Sequence, residues 1–172
     1  KLNAIEIETI GSTHGPVWTE KENIAEVISL YDTLSKYEAL ENGLVIAYGS
    51  MYGHTEQLAE VIAAAAAEHG VKNIIMHNVS KSHESDIIRD VFKYNGLIIG
   101  SPTYNNKLYP GVENLLSALQ NRYVKNRFFG YFGGYTWAGA AMKNLKEFSD
   151  KMEFEIVCPS VEIKQSLNED TA

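Results

Sequence analysis

From Leu44 onward, short apolar runs alternate with longer amphipathic stretches. Leu44-Val45-Ile46-Ala47-Tyr48 is a continuous apolar run closed by Gly49 and Ser50, the pattern of a strand buried on both faces. Residues 55–69 are Ala-rich and are followed by Gly70, which reads as a helix with a glycine just past its end. The same alternation predicts strands at 73–77, 97–100, 128–132 and 154–157, and helices at 84–94, 111–120 and 140–151. Strands separated by helices of about 10 to 15 residues are βαβ units, and right-handed crossovers turn them into a parallel sheet. The expected fold is therefore α/β: a doubly wound, five-stranded parallel sheet with helices on both faces. A mixed α+β domain with one antiparallel strand is the competing reading, and alternation over five strands makes it the weaker one.

Residues 1–43 do not extend this series. Residues 4–10 read as a strand and 11–18 as a turn-rich loop. Residues 23–36 read as a helix with Ile24, Val27, Ile28, Tyr31 and Leu34 on one face. The polar stretch 38–43 reads as a linker. A lone strand and helix cannot bury both their faces, so this segment is expected to pack on something else.

Composition narrows the function without naming it. The formal net charge is -7, from 15 basic and 22 acidic residues, with no Lys/Arg cluster. That balance argues against a nucleic-acid or anionic-membrane partner. The single cysteine, Cys158, excludes an internal disulfide, a thiolate-held cluster or a zinc knuckle built from this chain alone. No apolar run approaches the roughly 20 residues that span a bilayer, and no secretory pattern opens the chain. A reduced, cytoplasmic setting is expected. The chain is also expected to be cut at both ends. It starts at Lys1, and no amphipathic helix follows the last predicted strand, only an alternating stretch at 161–165 and a polar tail at 168–172.

In a parallel sheet, ligands sit beyond the carboxyl ends of the strands. Three loops lie there. The first is Ser50-Met51-Tyr52-Gly53-His54-Thr55, which combines two hydroxyls, a glycine and a helix start, the requirements for holding a phosphate. An ordinary helix cap with incidental hydroxyls is the plain alternative. Neither Gly-x-x-x-x-Gly-Lys nor Gly-x-Gly-x-x-Gly is present, which disfavours nucleoside triphosphates and dinucleotides. The second loop is Ser101-Pro102-Thr103-Tyr104-Asn105-Asn106, with one aromatic among turn formers. The third is Gly133-Gly134-Tyr135-Thr136-Trp137-Ala138-Gly139, with two aromatics among small residues, which suits a flat aromatic ligand. A loop Trp is more often a buried anchor than a ligand plate, but three such loops at one edge reinforce each other.

These loops resemble those of the flavodoxin family. The form Ser50-Met51-Tyr52-Gly53-His54-Thr55 is most similar to that of flavodiiron proteins (A-type flavoproteins), in which a flavodoxin domain follows a metallo-β-lactamase-like domain. The third loop departs from that family at Thr136, where a glycine before the Trp is usual. His14-Gly15-Pro16 resembles the end of the lactamase-like domain, where a histidine ligates a diiron centre.

The resemblance implies strand order 2-1-3-4-5, residues 1–43 as a remnant of the metal domain plus linker, and 44–172 as an FMN-binding domain. It implies that Ser50, Tyr52, Gly53, His54 and Thr55 cradle the phosphate and that Tyr104 and Trp137 flank the ring. The main chain of Thr103, Asn105, Gly134 and Tyr135 would meet the ring's polar edge. It further implies an oxidoreductase that reduces oxygen to water or nitric oxide to nitrous oxide. That enzyme would take electrons from a rubredoxin or a flavin/NADH reductase, and the full-length protein would be a homodimer or homotetramer. His14 would be a metal ligand only in that longer protein, because the histidine and carboxylate cluster of a diiron site has no counterpart here. A stand-alone flavodoxin-like carrier or quinone reductase would use the same loops but has no use for residues 1–43. A receiver-like binding module would need carboxylates at its strand ends, and Leu44–Ser50 and Leu97–Ser101 lack them.

Overall fold

In the computed structural model, which describes residues 5–137 and 139–165, the chain divides into two units, Lys1–Lys36 and Tyr37–Ala172. In the first unit, β1 (Ile10–Gly11) pairs antiparallel with β2 (Val17–Trp18). The turn between them is closed by Ser12 Oγ donating to the Pro16 carbonyl (3.1 Å), with Gly15 at φ +132°. Helix α1 (Lys21–Ser35) follows, with Ile24 buried. The strand expected over 4–10 is corrected. Ala4 lies outside the described residues, and only Ile10–Gly11 are strand, because the returning arm offers two residues to pair with.

In the second unit, β3 (Glu41–Tyr48), α2 (His54–Glu68), β4 (Ile74–Asn78), α3 (Glu84–Lys93) and β5 (Tyr94–Pro102) alternate as expected. They are followed by α4 (Pro110–Asn121), β6 (Phe128–Tyr135), α5 (Ala141–Met152), β7 (Glu155–Ile156) and β8 (Val161–Lys164). Every pairing among these strands is parallel, in the order β4-β3-β5-β6-β7, with β8 also on β6. Counted from the first strand of this unit, that order is 2-1-3-4-5. Two details differ from expectation. The polar stretch read as a linker contributes Glu41–Gly43 to β3. The fifth position is filled twice: β7 pairs with the start of β6, and β8, from the alternating stretch at 161–165, pairs with its end.

Side-chain alternation along the strands feeds two cores. Val45, Ala47, Leu97, Ile99 and Phe129 face α3, α4 and α5, meeting Ile87, Val91, Leu115, Leu119 and Leu145. Ile46, Tyr48 and Phe132 face the other way, toward Leu58 and Ala59 of α2. The apolar runs are thus hydrophobic without alternation because both faces of the sheet are covered.

The amino edge is closed by buried polar groups. Arg127, 2% exposed, donates from Nε to the Val91 carbonyl (2.8 Å) and from Nη2 to Phe92 (3.1 Å). Its Nη1 reaches the carbonyls of Tyr37 (2.7 Å), Lys125 (2.8 Å) and Asn126 (3.0 Å). Val91 and Phe92 end α3, where carbonyls lack intrahelical partners and the helix dipole is negative. Burial lowers the Arg127 pKa from its ordinary value, and the ring of carbonyls offsets that cost. Beside it, Asn95 Nδ2 donates to Asn42 Oδ1 (2.7 Å) and Asn95 Oδ1 accepts from the Gly43 N–H (3.1 Å).

Candidate functional site

The carboxyl edge begins where β3 ends. Gly49 packs under Tyr109, whose ring carbon would lie 2.5 Å from any Cβ added there. Ser50 Oγ accepts from the Gly53 N–H (3.1 Å), folding the first loop back on itself. Gly53 stands at φ +89°, the left-handed region, with nothing within 4 Å of the space a Cβ would take. It is the N-cap residue of α2, and no side chain caps that helix. The first N–H groups of a helix have no intrahelical partner and carry the positive end of its dipole. Here they open onto a loop with an unobstructed backbone.

A side-chain hydrogen bond links the end of β3 to the first turn of α2. Tyr48, 5% exposed, donates its hydroxyl to Glu56 Oε1 (2.8 Å). Burial first, and then the adjoining Glu56 carboxylate, push the Tyr48 pKa up to about 12. The hydrogen bond from Tyr48 holds the Glu56 carboxyl below its ordinary value, and Lys81 Nζ lies 3.6 Å away.

The second loop is a miniature hairpin. Tyr104 and Lys107 exchange both backbone hydrogen bonds (2.9 and 2.8 Å). The two residues between them, Asn105 and Asn106, both have positive φ (49° and 59°), the requirement of a two-residue primed turn. Ser101, fully buried, accepts from the Tyr109 N–H (3.0 Å) and donates to the Pro102 carbonyl (2.9 Å). In the third loop, Gly133 and Gly134 lie in register with Ser101 and Pro102 at the end of β6. Trp137 is 94% exposed and Tyr52 82% exposed, so neither ring is a buried anchor. Ala138 lies outside the described residues.

The three loops surround a cavity of about 330 Å³. Its walls include Met51, Tyr52, His54 and Thr55 from the first loop and Pro102, Thr103, Tyr104, Asn105 and Asn106 from the second. Gly134, Tyr135, Thr136 and Trp137 line it from the third. Ser50, Gly53, Ser101, Gly133 and Gly139, also expected at the site, are not among the lining residues. Gln165, just past the end of β8, also lines the cavity, and no local sequence signal marks it because β8 owes its strand character to pairing with β6. Among the described lining residues there is no Lys or Arg, so an anion there would rest on N–H groups, hydroxyls and the α2 dipole.

That donor set and the exposed rings fit a flavin mononucleotide, whose phosphate neutral donors and a helix N-terminus can hold and whose ring takes flat partners. A larger cavity of about 680 Å³ lies at the amino edge, over Gly43, Gly96, Ile98 and Gly130. Its asparagines, Asn42, Asn73 and Asn95, are hydrogen-bonded to one another and to the backbone.

His14 is exposed in the β1–β2 turn. Among the described residues, no group of three or more His, Cys, Asp or Glu could hold a metal. No described helix is long and apolar enough to cross a membrane.

The flavodoxin family model matches residues 46–172. An uncharacterized protein of Methanocaldococcus jannaschii is 31% identical over 153 residues, 89% of this chain and 38% of its own length. The anaerobic nitric oxide reductase flavorubredoxin of Shigella flexneri is 28% identical over 152 residues, 87% of this chain and 31% of its own. Among solved structures, the rubredoxin oxygen:oxidoreductase of Desulfovibrio gigas matches with a TM-score of 0.89 and 26% identity. That match covers 95% of this chain and 40% of that protein. The chain thus spans about two-fifths or less of each of these relatives. With its parallel sheet in the order 2-1-3-4-5 and its loops gathered at the carboxyl edge, the chain belongs to the flavodoxin family of FMN-binding domains.

Proposed function

We propose that the carboxyl-edge cavity holds FMN and that the chain is the electron-carrying half of a longer flavodiiron-type oxidoreductase. The observation that carries this reading is the convergence of an uncapped helix N-terminus and the exposed rings of Tyr104 and Trp137 on one cavity without Lys or Arg among its described lining residues. When bound, FMN supplies the one- and two-electron redox chemistry. The residues supply binding and orientation. The N–H groups at the start of α2 and the hydroxyls of Ser50 and Thr55 hold the phosphate. Tyr104 and Trp137 shield the faces of the ring, and the backbone of Thr103, Asn105, Gly134 and Tyr135 meets its polar edge. No general acid or base is required from this half.

In the whole protein, residues 1–36 end a preceding metal domain, and His14 is one of its ligands. That protein reduces oxygen or nitric oxide, works in the cytoplasm, and draws electrons from a rubredoxin-type donor or a flavin/NADH reductase. The names of the Desulfovibrio and Shigella relatives support this assignment.

Titration of the purified chain with FMN tests the core of the proposal. Bands at about 370 and 450 nm are expected to shift on binding. Riboflavin, which lacks the phosphate, is expected to bind at least tenfold more weakly if the α2 terminus is the anchor. Unshifted bands at saturating FMN would overturn the assignment. Iron analysis of the full-length protein, with and without His14→Ala, tests the metal half.

A further inference from the structure

The third loop is tied at both ends to one residue of the second. The Thr103 N–H donates to the Gly134 carbonyl (2.8 Å), just before the loop leaves β6. The Thr103 hydroxyl, at the other end, accepts from the N–H groups of Ala140 (3.0 Å) and Ala141 (3.1 Å), where the loop enters α5. Helix α5 has no capping side chain of its own at its N-cap residue, Ala140. Thr103 therefore does the work of an N-cap from 37 residues away in sequence. The loop carrying Trp137 leaves and rejoins the fold at a single residue of the opposite wall, while Trp137 itself projects into solvent.

From this we infer that the Thr103 hydroxyl is a positioning residue that clasps the second and third loops together and sets the Trp137 ring over the cavity. The inference rests on the FMN reading for its function but on hydrogen-bond geometry for its existence. A side chain that merely capped a helix would come from the helix's own N-terminus. Taking the cap from the opposite wall makes the width of the cavity depend on it. Thr103→Val keeps the shape and removes the acceptor, whereas Thr103→Ser restores it.

The test uses both variants in a Trp18→Phe background, so that Trp137 is the remaining tryptophan of the two in the chain. Two readouts are taken: steady-state anisotropy of Trp137 without ligand, and FMN affinity by fluorescence titration. Thr103→Val is expected to lower the anisotropy and to weaken FMN binding by about tenfold. Thr103→Ser is expected to match the parent in both. If Thr103→Val does not fold, amide exchange at Ala140 and Ala141 in Thr103→Ala, faster than in Thr103→Ser, supplies the same comparison. Unchanged anisotropy and an FMN affinity within twofold of the parent would overturn the clasp while leaving the cofactor reading intact. A parent that fails to bind FMN would overturn the cofactor reading, and the anisotropy would still decide whether the clasp exists.

Discussion

At the amino edge of the sheet, Arg127 directs its donors to backbone carbonyls and is 2% exposed, while at the carboxyl edge Trp137 and Tyr52 stand 94% and 82% exposed beside a cavity. Both edges are rich in polar groups, but they use them differently. The amino edge bonds its polar groups to one another and to the backbone, as Asn42, Asn95 and the Gly43 N–H also show. The carboxyl edge closes its second loop on itself through Ser101, ties it to the third through Thr103, and keeps the tips open. The difference separates stability from binding in space, so that substitutions at one edge should leave the function of the other largely unaffected.

The largest effect expected is on stability. Arg127→Met strands buried carbonyls of Val91, Phe92 and Tyr37, and should cost about 3 kcal/mol or more in chemical denaturation. FMN affinity of the folded fraction should stay within twofold. Tenfold weaker binding would show that the two edges are coupled. Next come the rings. Trp137→Ala and Tyr104→Ala should each weaken FMN binding by about tenfold with a stability change under about 0.5 kcal/mol, because neither ring is in the core. A stability loss without an affinity loss would make these residues structural.

The smallest effect is expected at the hinge between strand and cavity. Tyr48→Phe removes the hydroxyl that Glu56 accepts from, a loss of about 1 kcal/mol at neutral pH. A pKa raised in the folded state gives stability that is present below the unfolded value and lost as pH rises through the folded one. The deficit of Tyr48→Phe against the parent should therefore shrink between about pH 10, the value of an unperturbed tyrosine, and about pH 12. A deficit that does not change with pH over that window would refute the account of this hydrogen bond.

The alternation of strands and helices was legible because apolar runs such as Leu44–Tyr48 and Leu97–Gly100 are bounded by glycine and polar residues. Parallel strands buried on both faces must be hydrophobic without interruption, and that signal is local. The loops were legible for the same reason: Gly53 and the pair Asn105-Asn106 announce their backbone conformations through residue type. What escaped notice depends on partners distant in sequence. The four residues of β8 read as a mere alternating tail, because their strand character comes from lying against β6. The Thr103 hydroxyl gave no local sign that it caps a helix 37 residues later. The structural role of Arg127 was equally hidden, since five carbonyls from three segments leave no motif.

The divided fifth strand has a consequence for how copies of this domain behave in a crowded solution. An outermost strand exposes a row of unpaired backbone groups on which another chain can extend the sheet, and long flat edges are where aggregates start. Here that boundary is built from pieces of two and four residues, with Pro159 and its missing N–H in the gap between them. Neither piece is long enough to template an incoming strand. Joining them by deleting Pro159 and Ser160 would lengthen the ladder and, by the same reasoning, create a site for self-association.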